Sequence, residues 1–542
     1  MADEFEAGTF AVDVLCDGNG FVALPFRCIE EEGIEIYWGD EKEVLKRGSL
    51  FLAEHRYDEP KTWHRIIAKC TDWSKVWMVA IDSTKEMLDN LAPQNTVDRA
   101  RHCIWRFLTP LPEVAGMLVY DWTNPVEDAD GHFIFRDFDI EETPKSLEHS
   151  MCFFGKIEEI PEDFFSNIVA VSFEGAFEGC TIKCNLPYSL FADQSEAKSF
   201  VSCFEEVDFK APFPLCEGLF KDCMSAENFN GIFRGSNLTY IPEGLFKGCK
   251  AAKSFEACFS RTKIKNIPKA RLFEDSPNAE NFSFCFYGCE EIEVAPSRTF
   301  SGTNGKDFSY CFANCANLET VEAPFADCPN AENFYACFRR CSSLLALSGS
   351  VFLSASKATD FGDCFEGCES LITISDSLFK NASSAENFDG TFKDCRSIKM
   401  LPKGLFSKCP KALYFNATFM NCISLDEVEP DTFKGCHEAE EFESTFQGCI
   451  NLFVVPVTLF SWCGNATTFK KCFDGCINAF DSLKVQIASS YVEDASYFVP
   501  SNATFLKNAG TVVLVNEGTK TERAFMLEER KNPYIKVEAL HV

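Results

Sequence analysis

The residues best suited to chemistry in this sequence are cysteines that recur in pairs. Four such pairs follow one another, at Cys285/Cys289, Cys311/Cys315, Cys337/Cys341 and Cys364/Cys368. Thiolates at a regular spacing are ligands for zinc or for an iron–sulfur cluster. However, phenylalanines alternate with these cysteines on what we predict to be a core face, and buried apolar surroundings favour inert thiols. We therefore predict packing cysteines and no metal.

No other set of residues indicates catalysis. The seven histidines show no metal-type spacing, and they are His55, His64, His102, His132, His149, His437 and His541. The sequence contains no phosphate-binding glycine loop and no Gly-x-Ser-x-Gly elbow. The acidic segment 124–132 holds Asp128 and Asp130 but lacks the ligand pattern of a calcium loop, which favours a solvated turn. We predict no catalytic residue, no cofactor and no enzymatic activity.

Charge and composition narrow the class of partner. The 542 residues carry a formal net charge of −31, which would repel nucleic acid and anionic membranes. The chain starts "MADEFEAGTF" and has no long apolar run, so we expect a soluble chain without a secretory signal or membrane insertion. In that setting we expect most of the 29 cysteines to be free thiols.

A repeat organises most of the sequence. Its mark is a pair of phenylalanines, found at Phe173/Phe177, Phe200/Phe204, Phe229/Phe233, Phe255/Phe259, Phe282/Phe286, Phe308/Phe312, Phe334/Phe338, Phe361/Phe365, Phe388/Phe392, Phe415/Phe419, Phe442/Phe446 and Phe469/Phe473. Successive copies start 26, 27 or 29 residues apart. This period lies within the leucine-rich-repeat range of about 20–29 residues.

Each copy has the same internal order. An alanine stands three residues before the first Phe in every copy except one, which has Gly305, and the last eight copies have a cysteine seven residues after it. These spacings predict a short helix with Ala, both Phe and Cys on its core face. A short strand such as 397–402 ("SIKMLP") and an "LF-x-x-C" phrase should complete the coil. Stacked coils would bury the Phe columns, forming a solenoid.

The repeat phrase "F-x-x-x-F-x-x-C-x-x-L-x-x-I-P-x-x-L-F-x-x-C" resembles the BspA-like leucine-rich repeat, over residues 148–480. The resemblance implies a right-handed α/β repeat solenoid of about 12–13 leucine-rich-repeat-like coils. It also implies a surface adhesin or, without a signal peptide, a bacteriophage structural protein, and it brings no catalytic residues.

Two flanking regions are predicted to be separate modules. Residues 1–82 resemble a PKD-like β-sandwich, matching it at Trp38, Gly39, Asp40, His55 and Tyr57. Residues 83–147 should connect this module to the solenoid and cap it, with a helix over 96–108. Residues 481–542 should form a β-rich C-terminal cap, with a strand–turn–strand over 511–527.

The resulting hypothesis is a non-enzymatic virion protein of a tailed bacteriophage that contacts other virion proteins or a host-surface receptor, either protein or glycan. A bacterial cell-surface adhesin and an intracellular scaffold are the alternatives, and a homo-oligomer is compatible with each. Contacts should be made on a concave strand face, where residues between the core columns vary. The candidates are Thr239, Tyr240, Glu319, Thr320, Thr373, Lys399 and Phe453.

Overall fold

The computed structural model describes residues 5–6, 8–16, 20–28, 33–45, 53–59, 61–82, 103–112, 116–121, 147, 151, 154–269, 272–478, 483–499 and 511–540. The chain divides into two compact units. The first comprises Met1–Lys263 with Asp275–Ala279, and the second comprises Ile264–Glu274 with Glu280–Val542. Coils of a β-solenoid are present in both units. The acidic segment 124–132 lies outside the described residues.

The first unit begins with strands and continues into coils. Its N-terminal strands are β1 (Thr9–Leu15), β2 (Phe21–Leu24), β3 (Phe26–Cys28), β4 (Ile34–Tyr37), β5 (Lys42–Leu45), β6 (Ala53–Arg56), β7 (Trp63–Lys69), β8 (Val76–Asp82), β9 (Ile104–Phe107) and β10 (Gly116–Asp121). A 3-10 turn spans Trp73–Lys75. The coil strands of this unit are β11 (Lys156–Glu159), β12 (Thr181–Ile182) and β13 (Asp208–Phe209).

One sheet of the first unit joins the N-terminal strands to the coils. Its order is β13-β12-β11-β9-β1-β7-β4-β5, while β10-β8-β3 and β2-β6 form two smaller sheets. Strand β9 pairs antiparallel with β1 and parallel with β11, so pairing changes direction at β9. A β-sandwich module bounded at residue 82 therefore remains a prediction, because the strand at 104–107 belongs to the same sheet.

Strand β9 corrects the predicted helix over 96–108. Residues 96–102 lie outside the described residues, but Ile104–Phe107 is extended, with Trp105 and Phe107 buried and Ile104 and Arg106 partly exposed. This alternation fits a strand with one buried face. The apolar residues over the whole segment 96–108 fit a helical period, but the hydrogen bonds of Ile104–Phe107 to β1 and β11 make this part a strand.

The second unit has short coil strands followed by a longer parallel sheet. Its coil strands are β14 (Val294–Ala295), β15 (Thr320–Val321), β16 (Ala346–Leu347) and β17 (Thr373–Ile374), which pair in that order. Elsewhere single parallel bridges replace strands, such as Met400 with Glu427 and Glu427 with Val454. The predicted short strands are thus present, but each has at most two residues in these coils.

The C-terminal part of the second unit contains β18 (Lys484–Gln486), β19 (Thr511–Asn516), helix α1 (Lys520–Lys531) and β20 (Ile535–Leu540). The three strands are parallel, in the order β18-β19-β20. The predicted second strand of 511–527 was wrong, because α1 begins there. The Thr519 hydroxyl caps α1 by accepting a hydrogen bond from the Glu522 amide (3.2 Å), and the Glu522 carboxylate accepts one from the Gly518 amide (2.7 Å).

The Phe-x-x-x-Phe segments contain tandem turns, not the predicted helices. In the segment 388–395, the amides at the first, third, fifth and seventh positions donate to the next coil. For example, Phe388 donates to the carbonyl of Tyr414 (2.9 Å) and Gly390 to that of Asn416 (2.8 Å). The amides at the fourth, sixth and eighth positions donate within the coil to the carbonyl three residues earlier, as Thr391 does to Phe388 (3.3 Å).

The second amide of the segment is satisfied by a side chain. Asn387, directly before Phe388, accepts the amide of Asp389 at 2.9 Å. All eight amides from Phe388 to Cys395 are therefore paired, four of them with the neighbouring coil. Such pairing is what buried backbone requires.

This turn geometry needs left-handed backbone at two positions in each segment. The third and seventh residues have positive φ, for example Gly390 (61°) and Asp394 (59°). Glycine adopts this conformation most readily, but other coils place Ala417 or Ser444 there. The pattern turns positions one, four, five and eight toward the interior, which explains why the spacing resembles that of a helix.

The predicted core columns are confirmed. All twenty-four paired phenylalanines are fully buried at 0% exposure. In the second unit, equivalent rings form parallel, offset stacks, as in Phe361–Phe388 (5.6 Å) and Phe388–Phe415 (5.5 Å). Phenylalanines of the "LF-x-x-C" phrases fit edge-on between them, as Phe379 and Phe406 do against Phe388 at 5.0 and 4.7 Å. Aromatic pairs prefer these arrangements.

Candidate interaction surface

The short strand of most coils exposes two consecutive side chains, between a buried residue on either side. They stand eleven and twelve residues after the first Phe in the coils that start at Phe282, Phe308, Phe334, Phe361 and Phe388, and ten and eleven residues after it in those that start at Phe229 and Phe255. In one coil Leu371 and Ile374 point into the core, whereas Ile372 and Thr373 face outward. The amide of Ile372 donates to the carbonyl of Leu345 at 3.0 Å, which fixes the register with the preceding coil. We call these two exposed columns the strand face.

All seven predicted interaction residues lie exposed on this face. In the first unit they are Thr239 and Tyr240, and in the second unit Glu319, Thr320, Thr373, Lys399 and Phe453. The ring of Tyr240 contacts the ring of Phe213 edge-on at 5.8 Å. Their role in binding stays a prediction, since exposure alone does not identify a partner.

The sequence prediction missed an apolar group on the same face. Leu345, Ile372 and Met400 come from three successive coils and are 48%, 51% and 54% exposed. In sequence they read as part of apolar strands, which suggested burial. Position within the coil would have identified them, because Leu345 and Ile372 stand eleven residues after the first Phe, as Tyr240 and Lys399 do, and Met400 directly follows Lys399.

Carboxylates follow this apolar group along the stack. Asp426, which is exposed, and Glu427, which is half-buried, occupy the two equivalent positions of the next coil, and Phe453 and Val454 occupy those of the coil after it. Within the part of the chain that the structure describes, neither the Asp426 carboxylate nor the Glu427 carboxylate forms an ion pair. The second unit therefore presents two free carboxylates between apolar residues.

The cysteine pairs are packing residues by geometry. The thiol of Cys341 donates to the carbonyl of Phe312 in the preceding coil at 3.1 Å, and that of Cys368 donates to Phe338 at 3.3 Å. Burial raises the pKa of the Cys368 thiol to about 12, and it raises the pKa of Cys337 and Cys364 well above their usual value. These buried thiols are therefore protonated at neutral pH and act as hydrogen-bond donors.

Among the described residues, no group of three or more His, Cys, Asp or Glu side chains has the geometry of a metal site. The described cysteines form no disulfide, and most of them are buried. Over the same residues, no helix is long and apolar enough to cross a bilayer.

The residues that resemble a PKD-like pattern lie together in the first unit. The buried His55 imidazole contacts Asp40 at 3.0 Å and Glu41 at 2.8 Å, and its ring stacks on Trp38 at 5.2 Å. The hydroxyl of Tyr57 donates to the carbonyl of Trp38 at 2.6 Å. Glu41 thus supplies a second carboxylate to His55. The cluster fixes the end of β4 against β6.

No protein-family model and no curated protein matches the sequence. Among solved structures, the chain is similar to one described as the crystal structure of the TLR13-ssRNA13 complex. The identity is 11% and the TM-score 0.26, over 73% of this chain and 44% of that chain. The chain thus matches less than half the length of that protein, and we draw no function from the similarity.

Proposed function

We propose that this chain is a non-enzymatic structural and attachment protein, in which the coils hold the strand face for contact with a partner. The observation that carries the proposal is the contrast between a constant frame and varied exposed residues. Successive coils place Leu345, Ile372, Lys399, Asp426 and Phe453 at one equivalent position. A surface of this kind suits an irregular partner, such as a folded protein, better than a repetitive polymer.

The setting that we propose is the virion of a tailed bacteriophage. This rests on the resemblance of the repeat to BspA-like proteins and of the N-terminal residues to a PKD-like docking module. The N-terminal strands would attach the chain to other virion proteins, and the coils would contact them or a host-surface receptor. A bacterial surface adhesin and an intracellular scaffold are the alternative settings.

Two experiments test this proposal. Mass spectrometry of purified particles should detect the chain among capsid and tail proteins, whereas recovery from cell envelopes alone would favour the adhesin. Substitutions Tyr240→Asp, Glu319→Lys and Lys399→Glu should weaken attachment or assembly without changing the melting temperature, since all three side chains are exposed. If attachment, assembly and adhesion all survive these changes, the strand face is not the working surface.

A further inference from the structure

One part of the strand face combines the features of a binding site for a specific class of partner. Leu345, Ile372 and Met400 expose apolar surface on three consecutive coils, and Phe453 does so two coils later at 63% exposure. Large exposed apolar groups that lie side by side mark interaction sites. The coil between them presents Asp426 and Glu427.

The backbone fixes the order of these groups. The amide of Asp426 donates to the carbonyl of Lys399 at 2.9 Å, and that of Phe453 donates to Asp426 at 2.9 Å. Parallel bridges join Met400 to Glu427 and Glu427 to Val454. Along the stack the exposed residues are therefore apolar as far as Met400, which Lys399 precedes, then acidic at Asp426 and Glu427, and apolar again at Phe453, and the backbone bonds between coils hold this order.

Charge decides which occupant fits. Lys399 lies one coil before Asp426, but no ion pair to Asp426 or Glu427 forms among the residues that the structure describes. An apolar partner would bury two unpaired carboxylates, which is costly. A second copy of a chain with net charge −31 is also disfavoured by repulsion. A partner with one cationic side chain between large apolar ones would pair the cation with the carboxylates and pack its apolar side chains on the apolar residues.

The spacing of the coils suits a helix. On the strand face the coils are joined by parallel bridges, such as Met400 with Glu427, and parallel strands lie about 4.8 Å apart, so four coil steps cover about 19 Å. Four turns of an α-helix rise about 22 Å. A helix parallel to the stack would thus place about one turn on each coil, and long side chains can span the small difference.

We propose that this region of the strand face, from Leu345 to Phe453, binds an amphipathic helix of a partner protein that carries Lys or Arg between apolar residues. Counting about 3.6 residues per turn, large apolar side chains would stand at positions i, i+4, i+7 and i+14, with the cation at i+11. The cation meets Asp426 and Glu427. This inference rests on the proposed binding role of the strand face and names the partner class.

A helical peptide library tests it without a known partner. The library is randomised at those five positions, selected on the full-length protein and counter-selected on the Asp426→Asn/Glu427→Gln variant. We expect enrichment of large apolar residues at i, i+4, i+7 and i+14 and of Lys or Arg at i+11. One enriched peptide is then synthesised and titrated against purified variants.

We expect its affinity to fall about tenfold in Asp426→Asn/Glu427→Gln and in Ile372→Ser/Met400→Ser, since each removes one component of a mixed site. The control Glu438→Gln/Glu440→Gln, which changes two exposed acids outside the strand face, should bind as the parent does. Unchanged melting temperatures establish that the variants fold.

Two results would overturn the inference. In the first, the selected peptides lack Lys or Arg, and their binding is lost when Tyr240 or Glu319 is substituted. That result would keep the strand face as a binding surface but refute a cationic helix as its partner. A library that yields no binder, together with wild-type attachment in the strand-face variants, would refute both this inference and the proposed function.

Discussion

The thiol of Cys341 donates a hydrogen bond to the backbone carbonyl of Phe312, which lies one coil earlier, at 3.1 Å. The same contact recurs from Cys395 to Phe365 and from Cys422 to Phe392, at 3.1 and 3.2 Å. Three threonines make a comparable contact from the fourth position of the segment, as Thr391 does to Phe361 at 3.0 Å. Cysteine and threonine thus serve one purpose, the donation of a buried hydrogen bond between coils.

The buried thiols should react only after unfolding. Burial raises the pKa of thiols such as Cys311 and Cys341 well above the usual value, so the reactive thiolate is disfavoured at neutral pH. Thiol counting with Ellman's reagent should find few accessible groups in the native protein and nearly all of them in denaturant. Rapid labelling of most sites in the native protein would contradict the packing role, and a low count in denaturant would reveal disulfides.

Replacing Cys337 by threonine should be tolerated, because Thr391, Thr418 and Thr445 occupy the same position in other coils. We expect a change in unfolding free energy below about 0.5 kcal/mol for Cys337→Thr, against a loss of about 1–2 kcal/mol for Cys337→Ala, which leaves a cavity. Urea denaturation of both variants measures the difference. Equal losses would show that a threonine hydroxyl contributes nothing at this position.

Phe388→Ala should be severely destabilising. Its ring is fully buried among Phe361, Phe379, Phe406 and Phe415. Removal of a large buried aromatic costs about 3–5 kcal/mol. Thermal and urea unfolding should show this loss, whereas the matched change Phe453→Ala on the exposed strand face should leave stability unaltered. A parent-like melt for Phe388→Ala would refute the stacked-core architecture.

Burial of the Phe, Ala and Cys columns could be predicted from sequence, because the spacing of these residues reflects which side chains are buried. The backbone conformation could not be predicted, because a helix and a pair of turns both place positions one, four, five and eight on one side. The overlooked signals were glycines such as Gly231 and Gly390, and the asparagine before Phe388, whose side chain caps the turn. On the surface, Ile372 was missed because apolar character suggested burial, whereas the position within the coil determines exposure.

Two glycines at the same position of different coils should respond differently to alanine. A Cβ on Gly390 (φ 61°) would lie within 2.1 Å of the Asp363 carboxylate, whereas one on Gly231 (φ 59°) would stand 3.4 Å from the Ser202 hydroxyl. Because Ala257 already occupies this position with φ of 52°, Gly231→Ala should cost only about 1 kcal/mol of backbone strain. Gly390→Ala should cost more, and chemical denaturation of the two variants compares them. Equal costs would mean that the space around the glycine is irrelevant.

Asp389 should make stability depend on pH. Burial raises the pKa of this carboxyl to about 6 from its usual 3.8. The folded state therefore prefers the protonated form, and the stability from this preference is complete below pH 3.8 and is lost as pH rises through about 6.

The variant Asp389→Asn should accordingly be more stable than the parent at pH 8, by on the order of 1 kcal/mol after solvent screening, and no more stable at pH 3.5. Melting temperatures across this range provide the test. Asp376→Asn, which alters an exposed side chain, serves as the control and should show no such trend. A parallel shift of Asp389→Asn at both pH values would exclude titration as the cause.

The division of amides between successive coils also determines how such a protein can change in length. Because the segment from Phe388 to Cys395 gives four of its amides to the coil that follows, each coil presents the same row of acceptors as its neighbour. Removal or duplication of one complete period, for instance residues 388–414, rejoins identical rows, whereas a gain or loss of one residue inside the eight-residue segment would shift its amides away from the acceptors of the following coil. Whole coils are therefore the natural units of gene duplication in this chain. The number of coils, and with it the length of the solenoid, can change one coil at a time while the core packing stays the same.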